Sequence, residues 1–197
     1  MGLGAPWTRP PDVWLLDGHR LRVRTPSTTA LASAICLPDK EGAGLFAALE
    51  CTVPADRLLL LELIDSNRPT LALFDDVADV LVQKIVGWKR WEAAHIWRET
   101  LDRWPVVEGE LRGAGVDLAA LGPASATHTA FAWWRRTLGR DKEEWARFVR
   151  EMEREPVRVI EREAEVPMDP GVFDRMGAEA ALRRRRAHGV AAEVGDS

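Results

Sequence analysis

Between Gly87 and Pro105 the chain places four of its nine tryptophans: Trp88, Trp91, Trp97 and Trp104. Drawn as a helix from Lys89 at about 100° per residue, Trp91, Ala94, Trp97, Leu101 and Trp104 fall on one stripe, with Glu92, Glu99 and Arg103 opposite. Indole surface on this scale needs cover, either from the chain's own helices or from a partner. Gly87 has the permissive backbone that ends a preceding helix, and Trp88 follows it directly. A helical architecture arranged around this stretch is the first expectation.

A length of 197 residues suits one domain, or one domain with a tail, and 46% hydrophobic content supplies a core. The net charge of −4 argues against a surface that coats nucleic acid throughout. Cys36 and Cys51 form no CxxC pair and no disulfide framework, which points to a reduced compartment. Trp7, Arg9 and two prolines stand where a secretory leader would need an apolar run. Apolar runs such as Leu58 to Leu61 are far too short to cross a membrane. The expectation is a soluble intracellular protein.

Residues 1–25 read as a proline-rich arm followed by a β-hairpin. Val13 to Leu16 and His19 to Val23 flank Asp17-Gly18, a dipeptide that favours the type I′ turn. A lone hairpin is marginal in water, so it either lies on the helices or joins a partner's sheet edge. Residues 26–156 read as a compact bundle of short helices. Ser27 or Thr28 caps the first, Gly44 to Leu49 forms the second, and Pro54 opens the third with Leu58, Leu61 and Ile64 inward. A fourth runs from Thr70 to Val86 with Leu73, Val77, Val80, Leu81, Lys84 and Ile85 on one face. After the tryptophan helix come a short helix over Val107 to Leu111, a helix from Ser125 that Gly139 ends, and one that Asp141 caps. Residues 157–197 read as a charged appendage, helical from Asp169 to about His188 or mobile until a partner orders it. The predicted fold class is therefore mainly α, with a small N-terminal hairpin.

No arrangement of residues predicts an enzyme. His95 and Glu99 stand at i and i+4, a spacing that serves a metal or an acid–base pair, but no third ligand matches and a solvated face is the simpler reading. His128 is a lone histidine. No G-x-S-x-G elbow appears, and the glycines from Gly109 to Gly115 have neither dinucleotide-binding spacing nor a preceding strand. No cofactor or metal is implied. Arg183, Arg184, Arg185 and Arg186 suit contact with phosphates or with an acidic partner; equally, they are cations at a helix C-terminus, where the dipole favours them. Glu179, Glu193 and Asp196 dilute that field, and no aromatic residue interleaves for base stacking, so nucleic-acid binding is the lesser reading. Trp91, Trp97, Trp134, Trp145, Phe131 and Phe148 are most simply core. Trp88, Trp104 and Trp133, at helix ends or flanks, suit interface anchors, which predicts an exposed aromatic patch on the free chain.

Pro26-Ser27-Thr28, the segment Leu58 to Asp65 and the run Gly87-Trp88-Lys89-Arg90-Trp91-Glu92-Ala93-Ala94 together resemble tail assembly chaperones of long-tailed phages of actinobacteria. So do Glu110-Leu111-Arg112-Gly113, Val116-Asp117-Leu118, Phe131-Ala132-Trp133-Trp134 and Asp141 to Pro156. The similarity spans roughly residues 25–156. It implies a small, mostly helical, non-enzymatic protein of the host cytoplasm that binds the tape measure protein, keeps it soluble and helps recruit tail tube protein. It implies contact through Trp88, Trp91, Trp104 and Trp133, with Arg183 to Arg186 meeting acidic tube subunits. A homo-oligomer is a separate partner expectation, and the sequence fixes no oligomeric state. The alternative within the same setting is a structural tail or head–tail component retained in the virion.

Overall fold

A computed structural model of the chain describes residues 11–37, 42–67, 69–157 and 159–160. The chain divides into two units, 1–154 and 155–197. The described part of the second is a helical turn in which the Val159 and Ile160 N–H groups donate to the Pro156 carbonyl at 2.9 and 3.3 Å. The arm before Pro11 and the expected helix from Asp169 to His188 lie outside the described residues.

The first unit is mainly helical, with one small antiparallel hairpin. Strands β1 (Val13–Leu16) and β2 (His19–Arg22) lead into α1 (Thr28–Ile35), α2 (Ala43–Cys51), α3 (Pro54–Asn67) and α4 (Leu71–Val86). Then follow α5 (Arg90–Asp102), α6 (Trp104–Gly113), α7 (Pro123–Leu138) and α8 (Lys142–Glu153). Asp17 and Gly18 both have positive φ, 48° and 78°, and Leu16 pairs with His19 across them, as a two-residue Asp-Gly turn requires. Trp14, Leu16 and Leu21 are buried, so the hairpin docks on its own fold. Two backbone bonds tie it to the end of α2: Val53 N–H to the Arg22 carbonyl (2.9 Å) and Arg24 N–H to the Cys51 carbonyl (2.8 Å).

Local chemistry sets the helix ends. The Ser27 hydroxyl accepts from Ala30 N–H at 3.2 Å, and Asp141 accepts from the N–H groups of Glu143 and Glu144 at 2.9 and 3.1 Å. Gly87 closes α4 with φ 84°, donating to the Gln83 carbonyl at 2.9 Å. Glu92 reaches back to Lys89 N–H at 2.9 Å, which starts α5 one turn after α4 stops.

Helix α5 is central: α1, α4, α6, α7 and α8 all pack against it. Its buried residues are Arg90, Ala93, Ala94, Ile96, Trp97 and Thr100, covering more than one side. The expected single stripe is therefore corrected. Trp97 and Ala94 lie inside it, Leu101 is exposed, and Trp104 belongs to α6, beyond a break at Arg103. Arg90 is itself buried and bonds Asp75 (2.6 Å) and Asp79 (2.7 Å), one turn apart on α4. On the far side of Asp75, α2 approaches through Gly44. A Cβ there would come within 2.6 Å of the Asp75 backbone.

Two helices are rotated from the expected phase. On α3, Leu60 and Leu63 are buried while Leu58 and Leu61 are exposed. Six of the seven residues from Leu58 to Ile64 are leucine or isoleucine, so periodicity cannot select a face; the ion pair between Arg22 and Asp56 selects it instead (2.6 and 3.0 Å). On α4, Phe74, Ala78, Leu81, Val82, Ile85 and Val86 are buried, leaving Leu73 and Val80 outside. Asp75 and Asp79 turn toward Arg90, and this places Phe74 and Ala78 inward.

Three buried indoles share one device. Trp14, Trp97 and Trp134 donate their ring N–H to the hydroxyls of Thr52 (3.1 Å), Thr127 (2.9 Å) and Thr100 (3.0 Å). Each hydroxyl passes its own proton to the carbonyl four residues earlier, that of Ala48 (2.7 Å), Pro123 (2.8 Å) or Ile96 (2.7 Å). The indole thus gains an acceptor without leaving a second polar group unpaired. Thr100→Val keeps the shape but orphans the Trp134 N–H, and should lower unfolding free energy by about 1–3 kcal/mol in urea titrations. Adding Trp134→Phe should cost less in that background than in the native one.

The Arg22 pair makes a second prediction. Arg22 donates to both oxygens of Asp56 and adds its backbone N–H, holding the Asp56 carboxyl down from 3.8 to about 2. Between those values the unfolded chain takes up the proton and the native chain does not, so stability falls as pH falls. The pair's contribution is whole above about pH 4 and lost as pH drops through about 2. The Tm difference between the native chain and Asp56→Asn should therefore be constant near neutrality and shrink toward pH 2.

Candidate functional site

Four of the tryptophans meet in a continuous aromatic array. Trp88 packs on Phe131 (4.7 Å between ring centres), Phe131 on Trp145 (5.6 Å), Trp145 on Phe148 (5.7 Å, 15°) and Phe148 on Trp134 (5.5 Å, 23°). Trp133 stands edge-on to Trp134 at 4.9 Å and 89°. Offset and edge-to-face geometries of this kind are the favoured ones. The array joins the α4–α5 junction to α7 and α8, and every described tryptophan is buried or half-buried within the fold.

This placement corrects the expected contact residues. Trp133 is 3% exposed, with its N–H on the Glu110 carboxylate at 2.9 Å, and is no surface anchor. Trp88 and Trp91 are half-buried, and their ring N–H groups are enclosed with no hydrogen-bond partner. The Lys89 ammonium lies 4.9 Å from the Trp91 ring centre. Arg183 to Arg186 lie outside the described residues. No described tryptophan is among the exposed large apolar residues, so the expected exposed aromatic patch is not seen there. Phe46 is the one exposed aromatic among them, and the others are aliphatic, including Leu15, Leu58, Leu71, Val80 and Val106.

Trp104 is the expected anchor that reaches an open site. With Trp97, Leu101, Thr28, Thr29, Ala32, Ser33 and Ala119 it lines an apolar groove of about 150 Å³ between α1, the end of α5 and the start of α6. Leu101, 45% exposed, stands at its edge. The groove is open because α1 presents only small side chains there. Thr28 is turned away, its hydroxyl donating to the Leu121 carbonyl. Its size matches one large aliphatic or aromatic side chain. The helix pattern marks Trp104 and Leu101, whereas the small residues opposite them leave no apolar signal.

A second cleft, of about 320 Å³, is lined by Glu99, Glu144, Glu151, Arg103 and Arg147 above a floor of Trp134, Leu138 and Phe148. The Arg103 guanidinium lies over the Trp134 ring, 5.1 Å from its centre. His95, expected on a solvated face with Glu99, is instead half-buried with its ring edge-on to Phe148 at 5.0 Å. Burial lowers its pKa, and the charges of Glu99 and Glu151 oppose that shift. Among the described residues no group of three His, Cys, Asp or Glu side chains is placed to hold a metal ion. No described helix is long and apolar enough to cross a membrane.

Comparison with protein-family models, with curated proteins and with solved structures returned no match.

Proposed function

We propose that this chain is a transient binding protein that covers an apolar helical segment of another protein. Following the resemblance, we propose further that it is a phage tail assembly chaperone acting in the host cytoplasm. Its client is then the tape measure protein, which it keeps soluble and presents to tail tube subunits. The observation that supports this reading is the apolar groove edged by Trp104 and Leu101. A single large side chain from an amphipathic client helix fills such a groove, and the exposed Leu101 and Val106 extend contact along that helix. Binding through one buried aromatic anchor and a few aliphatic neighbours suits a partner that must later be released, because most of the affinity then rests on few residues.

Co-expression with the tape measure protein tests this directly. The native chain should shift that protein into the soluble fraction, and unchanged solubility would remove the reading. Trp104→Ala should weaken the purified complex by about 30-fold, the loss of a ~2 kcal/mol anchor. Leu101→Glu should do the same with an unchanged circular dichroism spectrum, because its side chain already meets water.

A further inference from the structure

Helix α3 carries leucines on its open side as well as on its covered one. With Leu60 and Leu63 buried beneath it, Leu58 stands 72% and Leu61 49% exposed. Pro54, Leu58, Leu61 and Asp65 follow one another at spacings of four, three and four, the repeat of a helix–helix seam, and all four are on the exposed face. A helix apolar all round is normally buried all round.

Charge in the C-terminal half of this helix opposes its dipole. Glu62 and Asp65 are exposed in its C-terminal half, and its last turn holds no basic residue, so negative charge meets the negative end of the macrodipole. At the N-terminal end, beside the positive pole, Asp56 of the first turn is paired with Arg22, whose guanidinium stays 60% exposed, and Arg57 is bonded to Glu50 at 3.0 Å. The C-terminal acids therefore oppose their own pole, while the N-terminal end offers a positive pole and a partly exposed guanidinium.

We propose that α3 is the contact between two copies of this chain, running antiparallel across a two-fold axis that passes between Leu58 and Leu61. That axis sets Leu58 of each copy on Leu61 of the other. It also brings Asp65 of each beside Pro54 of the other, at a helix N-terminus with Arg22 close by. The acid that is misplaced at the end of its own helix is then well placed against the start of its neighbour. A parallel pair would instead oppose Asp65 to Asp65. The contact is isologous and closes at two copies. One short helix per copy is a small contact, so the dimer is weak and dissociates on dilution.

Sedimentation velocity on the full chain, from low-micromolar to near-millimolar concentration, tests this. A monomer–dimer equilibrium is expected. Leu58→Glu should raise its dissociation constant by about tenfold or more, and Leu61→Gln by a smaller factor. Neither should alter the circular dichroism spectrum, since both side chains lie on the uncovered face. Asp65→Asn decides the direction: it should weaken the antiparallel pair, whereas tighter association would overturn that geometry. A chain that stays monomeric throughout, or a dimer that Leu58→Glu leaves untouched, would overturn the proposal. The contact is independent of the groove at Trp104, so Trp104→Ala should leave the equilibrium unchanged.

Discussion

The fold depends on how it satisfies a buried indole N–H. Tryptophan brings more apolar area into a core than any other side chain, but also a donor that costs free energy if left without an acceptor. Here the acceptor is three times a threonine hydroxyl, on a helix or just past its end, bonded in turn to the carbonyl four residues back. Two of these bonds run in opposite directions between α5 and α7, Trp97 to Thr127 and Trp134 to Thr100. The third fastens the hairpin to the end of α2. Apolar packing alone would let these helices slide; a directed bond at a fixed depth sets their register.

Charge plays the corresponding part between α4 and α5. Arg90 is 2% exposed and lies between Asp75 and Asp79. Such a cluster is weak evidence of net stability, since bringing the ions out of water is costly. Its effect is on geometry. It fixes which residues of α4 turn inward, and it anchors the start of α5, the helix on which the others gather. The groove at Trp104 lies at the opposite end of that helix, where α5 gives way to α6.

What could be read from residues alone was what local chemistry decides. The Asp17-Gly18 turn, the Ser27 and Asp141 caps, the stop at Gly87 and the prevalence of helix are each set by a few neighbouring atoms, and each was legible. Facing was not. Leucines crowd the middle of α3, and no periodicity distinguishes Leu58 from Leu60 when the deciding bond comes from Arg22, more than thirty residues earlier in the chain. Trp133 lies on the flank of its helix, a position that suits a surface anchor, but α7 is covered on more than one side and hides both Trp133 and Trp134. The acceptor roles of Thr52, Thr100 and Thr127 are not legible in the residues, although Thr127 shares the face of Phe131, Trp134 and Leu138, and a polar residue among buried apolar ones is a visible sign. The groove was half legible, through Trp104 and Leu101. Its other wall is made of side chains too small to register in any apolar pattern.

Gly44 carries a consequence for how the sequence can change. The helices on either side of it meet with no room for one further carbon, and the backbone it touches belongs to Asp75, which holds Arg90. Every single-base change in a glycine codon that alters the amino acid adds at least that carbon. Drift at this position therefore has no neutral step: a wider α2–α4 gap would have to arise elsewhere first, and the route from one functional sequence to another must go around residue 44.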